Sequence, residues 1–178
     1  MLKRLEETRL LALCMCSDNR EAFSRLVELH QQGLRRFLMN LCGGDLMLTD
    51  DLAQDTFLKA WIGIRQFRGL SGFRTWLYRI ALNEYISYRR SRSNCMLNEA
   101  SDAADLHLAS PVDAERRADA GIDARTMLAQ LSESEKTISL LFYLEELPIK
   151  EIVKITGMAE GTVKSHLSRA RKKMAEIQ

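Results

Sequence analysis

Proline is nearly missing from this 178-residue chain: Pro111 and Pro148 are the only two. A helix therefore meets few breakers along it. No run of alternating apolar and polar residues is long enough for a convincing strand, so the chain reads as helix almost throughout. Long apolar runs are missing too, and no stretch approaches the roughly 20 residues that span a bilayer. The apolar stretch 10–16 follows Lys3 and Arg4 as in a secretion leader. It is too short, Glu6 and Glu7 interrupt the residues before it, and Leu13 stands where a small residue should precede cleavage. A cytoplasmic location is expected. The four cysteines, Cys14, Cys16, Cys42 and Cys95, form no CxxC pair and have no histidine at ligand spacing. Neither a zinc module nor a disulfide framework is indicated, and they read as thiols in a reducing compartment. His30, His107 and His166 stand apart from any triad or metal-ligand spacing, and no phosphate-binding loop occurs. No metal, cofactor or catalytic residue is expected, so the chain does not read as an enzyme.

What is present is ordinary in amount and uneven in arrangement. Apolar residues make up 46% and charged residues 28%, a soluble globular balance. The net charge of +2 conceals a pattern. Between Arg65 and Arg92 there are seven arginines and a single acidic residue, Glu84. Seven acidic residues lie between Asn98 and Asp123, against Arg116 and Arg117. From Lys164 the chain is basic again. Two basic segments divided by an acidic one suggest two contacts with an anionic surface.

Ala22, Phe23, Leu26, Val27, His30, Leu34, Phe37 and Leu38 recur at helical spacing, with a break expected near Gly33. Gly43 and Gly44 end that unit, and Thr49 is expected to cap the next helix, with Asp50 and Asp51 in its first turn. Its apolar stripe is Leu52, Ala53, Phe57, Ala60, Trp61 and Ile64. After the loop Gly69, Leu70, Ser71 and Gly72, a long helix is expected from about residue 73 to about residue 92. Residues 93–122 then lose periodicity and are rich in Ala, Asp, Ser and Glu, the composition of a flexible acidic linker. Ser132 and Glu135 form a capping box, with Leu131 as its staple, and a second helix starts at Pro148. The expected fold is all-α: a helical domain over residues 1–92, the linker, and a second helical domain over residues 123–178.

The second domain has the shape of a helix-turn-helix. Ile149, Ile152 and Val153 give its first helix an inward stripe, and Gly157 sits where the turn needs positive φ. In the last helix Val163, Leu167, Ala170 and Met174 fall at i, i+4, i+7 and i+11, a stripe facing inward. The opposite face carries Lys164, Ser165, Ser168, Arg169 and Lys172, with Arg171 on its flank. A slim helix with such a face fits the major groove. By itself this module would equally suit a helix-turn-helix regulator acting without polymerase. That alternative leaves the first domain without a task. There Asp51, Gln54, Asp55 and Leu58 share an outward face suited to a protein partner. Residues 67–83 interleave aromatics with arginines around a glycine-rich loop, the composition that stacks unpaired bases and holds their phosphates. Trp76, Arg79, Asn83, Ser87 and Arg90 line one helix face, while Phe73 and Leu77 are expected to be buried.

Three stretches carry a resemblance to the extracytoplasmic-function sigma factors of the sigma-70 family. Residues 50–61 (Asp-Asp-Leu-Ala-Gln-Asp-Thr-Phe-Leu-Lys-Ala-Trp) resemble region 2.2. Residues 67–83 (Phe-Arg-Gly-x-Ser-x-Phe-x-Thr-Trp-Leu-Tyr-Arg-Ile-Ala-x-Asn) resemble regions 2.3–2.4. Residues 160–171 (Glu-Gly-Thr-Val-Lys-Ser-x-Leu-Ser-Arg-Ala-Arg) resemble region 4.2. The resemblance implies a transcription initiation factor with core RNA polymerase and promoter DNA as partners, held in check by an anti-sigma factor, in many relatives a membrane-anchored one. It implies that Asp51, Gln54, Asp55 and Leu58 meet the polymerase. It also implies that Phe67, Arg68, Gly69, Leu70, Ser71, Phe73, Trp76, Arg79 and Asn83 bind the −10 element. Lys164, Ser165, Ser168, Arg169 and Arg171 would then read the −35 element. Ser87 stands where many relatives carry Asp, His166 where many carry Arg, and Leu70 at a variable position of the −10 loop.

Overall fold

Two glycines and an aspartate decide where the second helix ends and the third begins. The computed structural model describes residues 2–99 and 127–176. In it Gly43 and Gly44 both take positive φ, 69° and 97°, which closes the preceding helix. Asp45 is then free to cap, its side chain accepting from the Leu48 amide at 3.0 Å. This corrects the expectation that Thr49 is the cap. Thr49 lies one turn inside the helix, fully buried, its hydroxyl donating to the Asp45 carbonyl at 2.6 Å. The helix thus begins one turn earlier than expected, at Leu46, because the two glycines end the preceding helix directly before Asp45.

The first module comprises α1 (Leu2–Ser17), α2 (Arg20–Leu41), α3 (Leu46–Gly63), a 3-10 turn (Ile64–Gln66) and α4 (Phe73–Glu99). Helix α2 is unbroken, so Gly33 is not the expected break. A Cβ at Gly33 would stand 3.0 Å from the Tyr78 hydroxyl. The residue supplies room there, although a mid-helix glycine costs about 1 kcal/mol relative to alanine. Its buried stripe is Ala22, Leu26, Leu34, Phe37, Leu38 and Leu41. Against it α4 sets Leu77, Tyr78, Ala81, Leu82 and Tyr85, all buried. Helix α4 continues to Glu99, past the expected end near residue 92. The remainder of the expected linker, residues 100–122, lies outside the described residues.

The second module has α5 (Glu133–Ser139), a π-helical turn (Leu140–Leu144), α6 (Ile149–Thr156) and α7 (Glu160–Ala175). The expected capping box is present: Ser132 accepts from the Glu135 amide, and the Glu135 carboxylate accepts from the Ser132 amide. Pro148 is the cap of α6, one residue before the helix begins. Gly157, at φ 71°, makes the turn. Ile138, Leu141, Ile152, Ile155, Val163 and Leu167 form the interior. Among the described residues there are only helices and turns, as the all-α expectation requires. The two interiors are not separate. Leu82 and Tyr85 of α4 belong to one apolar cluster with Ile138, Leu141 and Ile152.

Candidate functional site

Three surfaces assemble from these elements. The first is the outer side of α3. Its inner side is committed to Thr49, Leu52, Ala53, Thr56 and Ala60, which the helical period turns away from Asp51, Gln54, Asp55 and Leu58. All four of the latter are exposed, Leu58 by 56%. Ile62, one turn further along, is 70% exposed and extends the patch. It went unnoticed in the sequence because it stands between Trp61 and Gly63, outside the acidic motif, although its i+4 spacing from Leu58 signals the shared face. Asp50 points elsewhere and pairs with Arg35.

The second surface is the loop before α4. Gly69 takes φ 67°, a left-handed turn that lifts Leu70 out to 81% exposure. Arg68 and Gly69 are exposed beside it, and Ser71 is half-buried. Phe67 and Phe73 are buried and make the floor rather than the rim, with Trp76 half-buried at its edge. Their ring centroids lie 5.3 to 6.1 Å apart in tilted and edge-on pairs. Burial of Phe73 and Leu77 is as expected. Arg79 and Asn83, with Ser87 and Arg90, continue along the exposed side of α4.

The third is α7. Val163, Leu167 and Ala170 are buried, and Lys164, Ser165, Ser168, Arg169 and Arg171 are all exposed, so the split of faces read from the period holds. What the sequence did not reveal is how these cations are held. Arg171 donates to the Tyr143 hydroxyl through both Nε and Nη2, each at 3.3 Å. Arg169 lies 3.1 Å from His166 Nδ1 and 3.7 Å from the Glu135 carboxylate. Lys173 donates to the same carboxylate at 2.7 Å. Glu135 thus caps α5 and also orients α7. A capping-box pattern signals only the first task.

The Lys173 contact, joined by the capping hydrogen bonds with Ser132, outweighs burial and holds Glu135 at about 2, well below the usual carboxylate range. A carboxylate whose pKa is depressed by folding stabilises the fold above its unfolded pKa, and that contribution fades as pH falls toward its folded value. From pH 4.5 down to about 2, then, the chain should lose stability more steeply than its Glu135→Gln variant. Denaturant titrations at stepped pH measure this directly. Parallel pH profiles for the two proteins would remove Glu135 from the acid response.

No helix among the described residues is long and apolar enough to cross a membrane, and no three His, Cys, Asp or Glu side chains converge as a metal site would need. Known proteins resemble the chain along most of its length. The family model for sigma-70 region 2 matches residues 26–95, and that for sigma-70 region 4 matches residues 122–174. The ECF RNA polymerase sigma factor SigC of Mycobacterium tuberculosis is 31% identical over 172 residues, 93% of this chain and 88% of that protein. The RNA polymerase sigma factor YlaC of Bacillus subtilis is 34% identical over 124 residues, 68% of this chain and 72% of that one. Among solved structures, the sigma factor RpoE of Bartonella quintana, crystallised with the anti-sigma factor NepR, superposes with a TM-score of 0.73. The two are 28% identical, over 87% of this chain and 95% of that one.

Proposed function

The chain belongs to the sigma-70 family, in its extracytoplasmic-function branch, and from that premise we propose how its three surfaces divide the work of starting transcription. It is an RNA polymerase sigma factor that directs transcription initiation at promoters. The outer face of α3 (Asp51, Gln54, Asp55, Leu58 and the neighbouring Ile62) meets core polymerase. The loop Arg68, Gly69, Leu70 and Ser71, on its floor of Phe67 and Phe73 and flanked by Trp76, Arg79 and Asn83, receives the −10 element. The basic face of α7 reads the −35 element through Lys164, Ser165, Ser168, Arg169 and Arg171. Residues 1–92 and 123–178 act as the two binding domains. Any catalysis is the polymerase's, the site of action is the cytoplasm, and an anti-sigma factor is the partner that opposes it.

One observation carries this reading: a single chain exposes an acidic face with a leucine, an aromatic-floored loop and a basic helix. A regulator binding DNA by itself would need only the last. Reconstituted transcription with core polymerase on a library of promoters is the test. Specific start sites that depend on this protein support it, and DNA binding without start sites would favour the stand-alone regulator.

The contacts around Arg169 allow a finer expectation. If its guanidinium reads a base edge, Arg169→Ala should cost about 1–3 kcal/mol and relax preference at one −35 position. If it holds phosphate, binding should weaken evenly across sequences and the salt slope should fall by about 1. Selection from randomised −35 sites separates the two. An unchanged motif together with unchanged affinity would mean that the outward face of α7 is misassigned.

A further inference from the structure

Glu145 follows the π-helical turn and is 1% exposed. Its side-chain hydrogen bonds among the described residues all leave its own module. Arg36 of α2 donates to Oε1 through Nε at 3.2 Å and Nη2 at 2.9 Å. Arg74 of α4 donates to Oε2 at 2.5 Å and to the Glu145 carbonyl at 2.8 Å. The Tyr78 hydroxyl donates to Oε2 at 2.7 Å. Burial, reinforced by that carboxylate, pushes the Tyr78 hydroxyl well above its usual pKa, so it stays a donor. The space left by Gly33 is filled from this cluster, for a Cβ there would also meet Glu145 Oε2 at 3.6 Å. Weaker ties surround it. Arg89 and Tyr85 donate to Glu133, Lys136 donates to the Leu41 carbonyl at 3.0 Å, and Lys154 donates to the Leu70 carbonyl at 3.2 Å.

The last of these ties sets a limit on geometry. Lys154 of α6 touches the very loop assigned to the −10 element. Counting helical rise within α6 and α7 and full extension across the turn between them, Arg171 lies no more than roughly 45 Å from Leu70. Promoter elements about 16 base pairs apart are separated by roughly 55 Å. The docked arrangement therefore cannot engage both elements at once.

We propose that Glu145, seated among Arg36, Arg74 and Tyr78, is an intramolecular latch that holds the second module on the first in a closed form, which must open before a promoter is read. A buried carboxylate suits a latch because its stability depends on complete pairing. With one donor removed, the docked state retains a buried, under-compensated charge, whereas in the open state the same group is hydrated. Apparent activity is then reduced by the fraction of molecules that are open. The inhibitory consequence rests on the sigma-factor reading, whereas the closed form itself does not.

Two measurements on the full chain separate these. Small-angle scattering compares the radius of gyration of the wild type with that of Glu145→Gln, Arg74→Met and Tyr78→Phe. The last removes a single hydroxyl and keeps the ring in the core, so it remains informative if either charge variant loses helicity. Transcription with limiting core polymerase gives the concentration of each protein at half-maximal output. The latch requires a larger radius of gyration for the folded variants and a half-maximal concentration lower by about tenfold, within the usual range for coupled equilibria. Unchanged radii in folded variants overturn the latch. Larger radii with unchanged half-maximal concentrations show a closure that does not inhibit, and overturn that part. Larger radii with no transcription from any of the proteins would instead count against the sigma-factor reading and leave the closed form standing.

Discussion

Asp55→Arg should abolish association with core RNA polymerase while leaving the chain folded. Asp55 is exposed on α3 and makes no hydrogen bond or ion pair among the described residues, so the fold loses nothing when it is replaced. On the proposed role of this face, the interface loses a great deal. Truncating one partner of a buried interfacial charge pair typically costs about 2–5 kcal/mol, and reversing the charge adds repulsion to that loss. Asp51 lies one turn before it on the same exposed face, so the substitution turns one of two neighbouring negative charges positive. Pull-down of core enzyme measures the effect, with circular dichroism as the check on folding. A folded variant that still captures core enzyme at wild-type strength would remove this face of α3 from the interface. Leu58 and Ile62, both apolar and exposed, would then need another partner.

Shortening the connection between the modules should be nearly as damaging, and only to the step that needs both. Whatever conformation residues 100–126 take, their length bounds their reach. About 28 residue steps from Glu99 to Met127 span at most about 95 Å at about 3.4 Å each. Promoter elements about 16 pairs apart demand roughly 55 Å. Deleting residues 100–113 lowers the limit to about 48 Å, short of the span. The expected outcome is two folded modules, core association through α3 intact, and collapse of −35-dependent transcription. Gly and Ser at full length in place of the deleted residues should largely restore promoter recognition, since they restore reach. Normal −35-dependent output from the shortened protein would sink the span argument. The two variants fail at different steps, core capture in one and promoter span in the other, so together they order the events.

Much of the fold was legible in advance because it follows from local rules. The stripe of Val163, Leu167 and Ala170 is a helical period, and it sorted Lys164, Ser165 and Ser168 to the exposed side without any knowledge of neighbours. Gly157 and the capping box at Ser132 and Glu135 are likewise choices of a few consecutive residues. The cap that differs from the expectation is local as well: Gly43 and Gly44 close the preceding helix, and Asp45 rather than Thr49 caps the next.

The sequence by itself determined that this protein is a string of helices with an acidic-leucine face, a glycine-lifted loop and a basic last helix. Periodicity, caps and motif spacing are properties of neighbours along the chain. Only the tertiary structure decided which charges are buried and what they touch. Arg36 and Glu145 stand 109 residues apart, and nothing near either one announces the other. Gly33 looked like a break until Tyr78 and Glu145 were seen to occupy the space it leaves. Phe67 reads as part of a stacking platform along the chain, and packing buries it beside Phe73, whose burial was expected. Burial and ion pairing depend on distances across the fold. A pattern along the chain carries no record of those until the helices have packed.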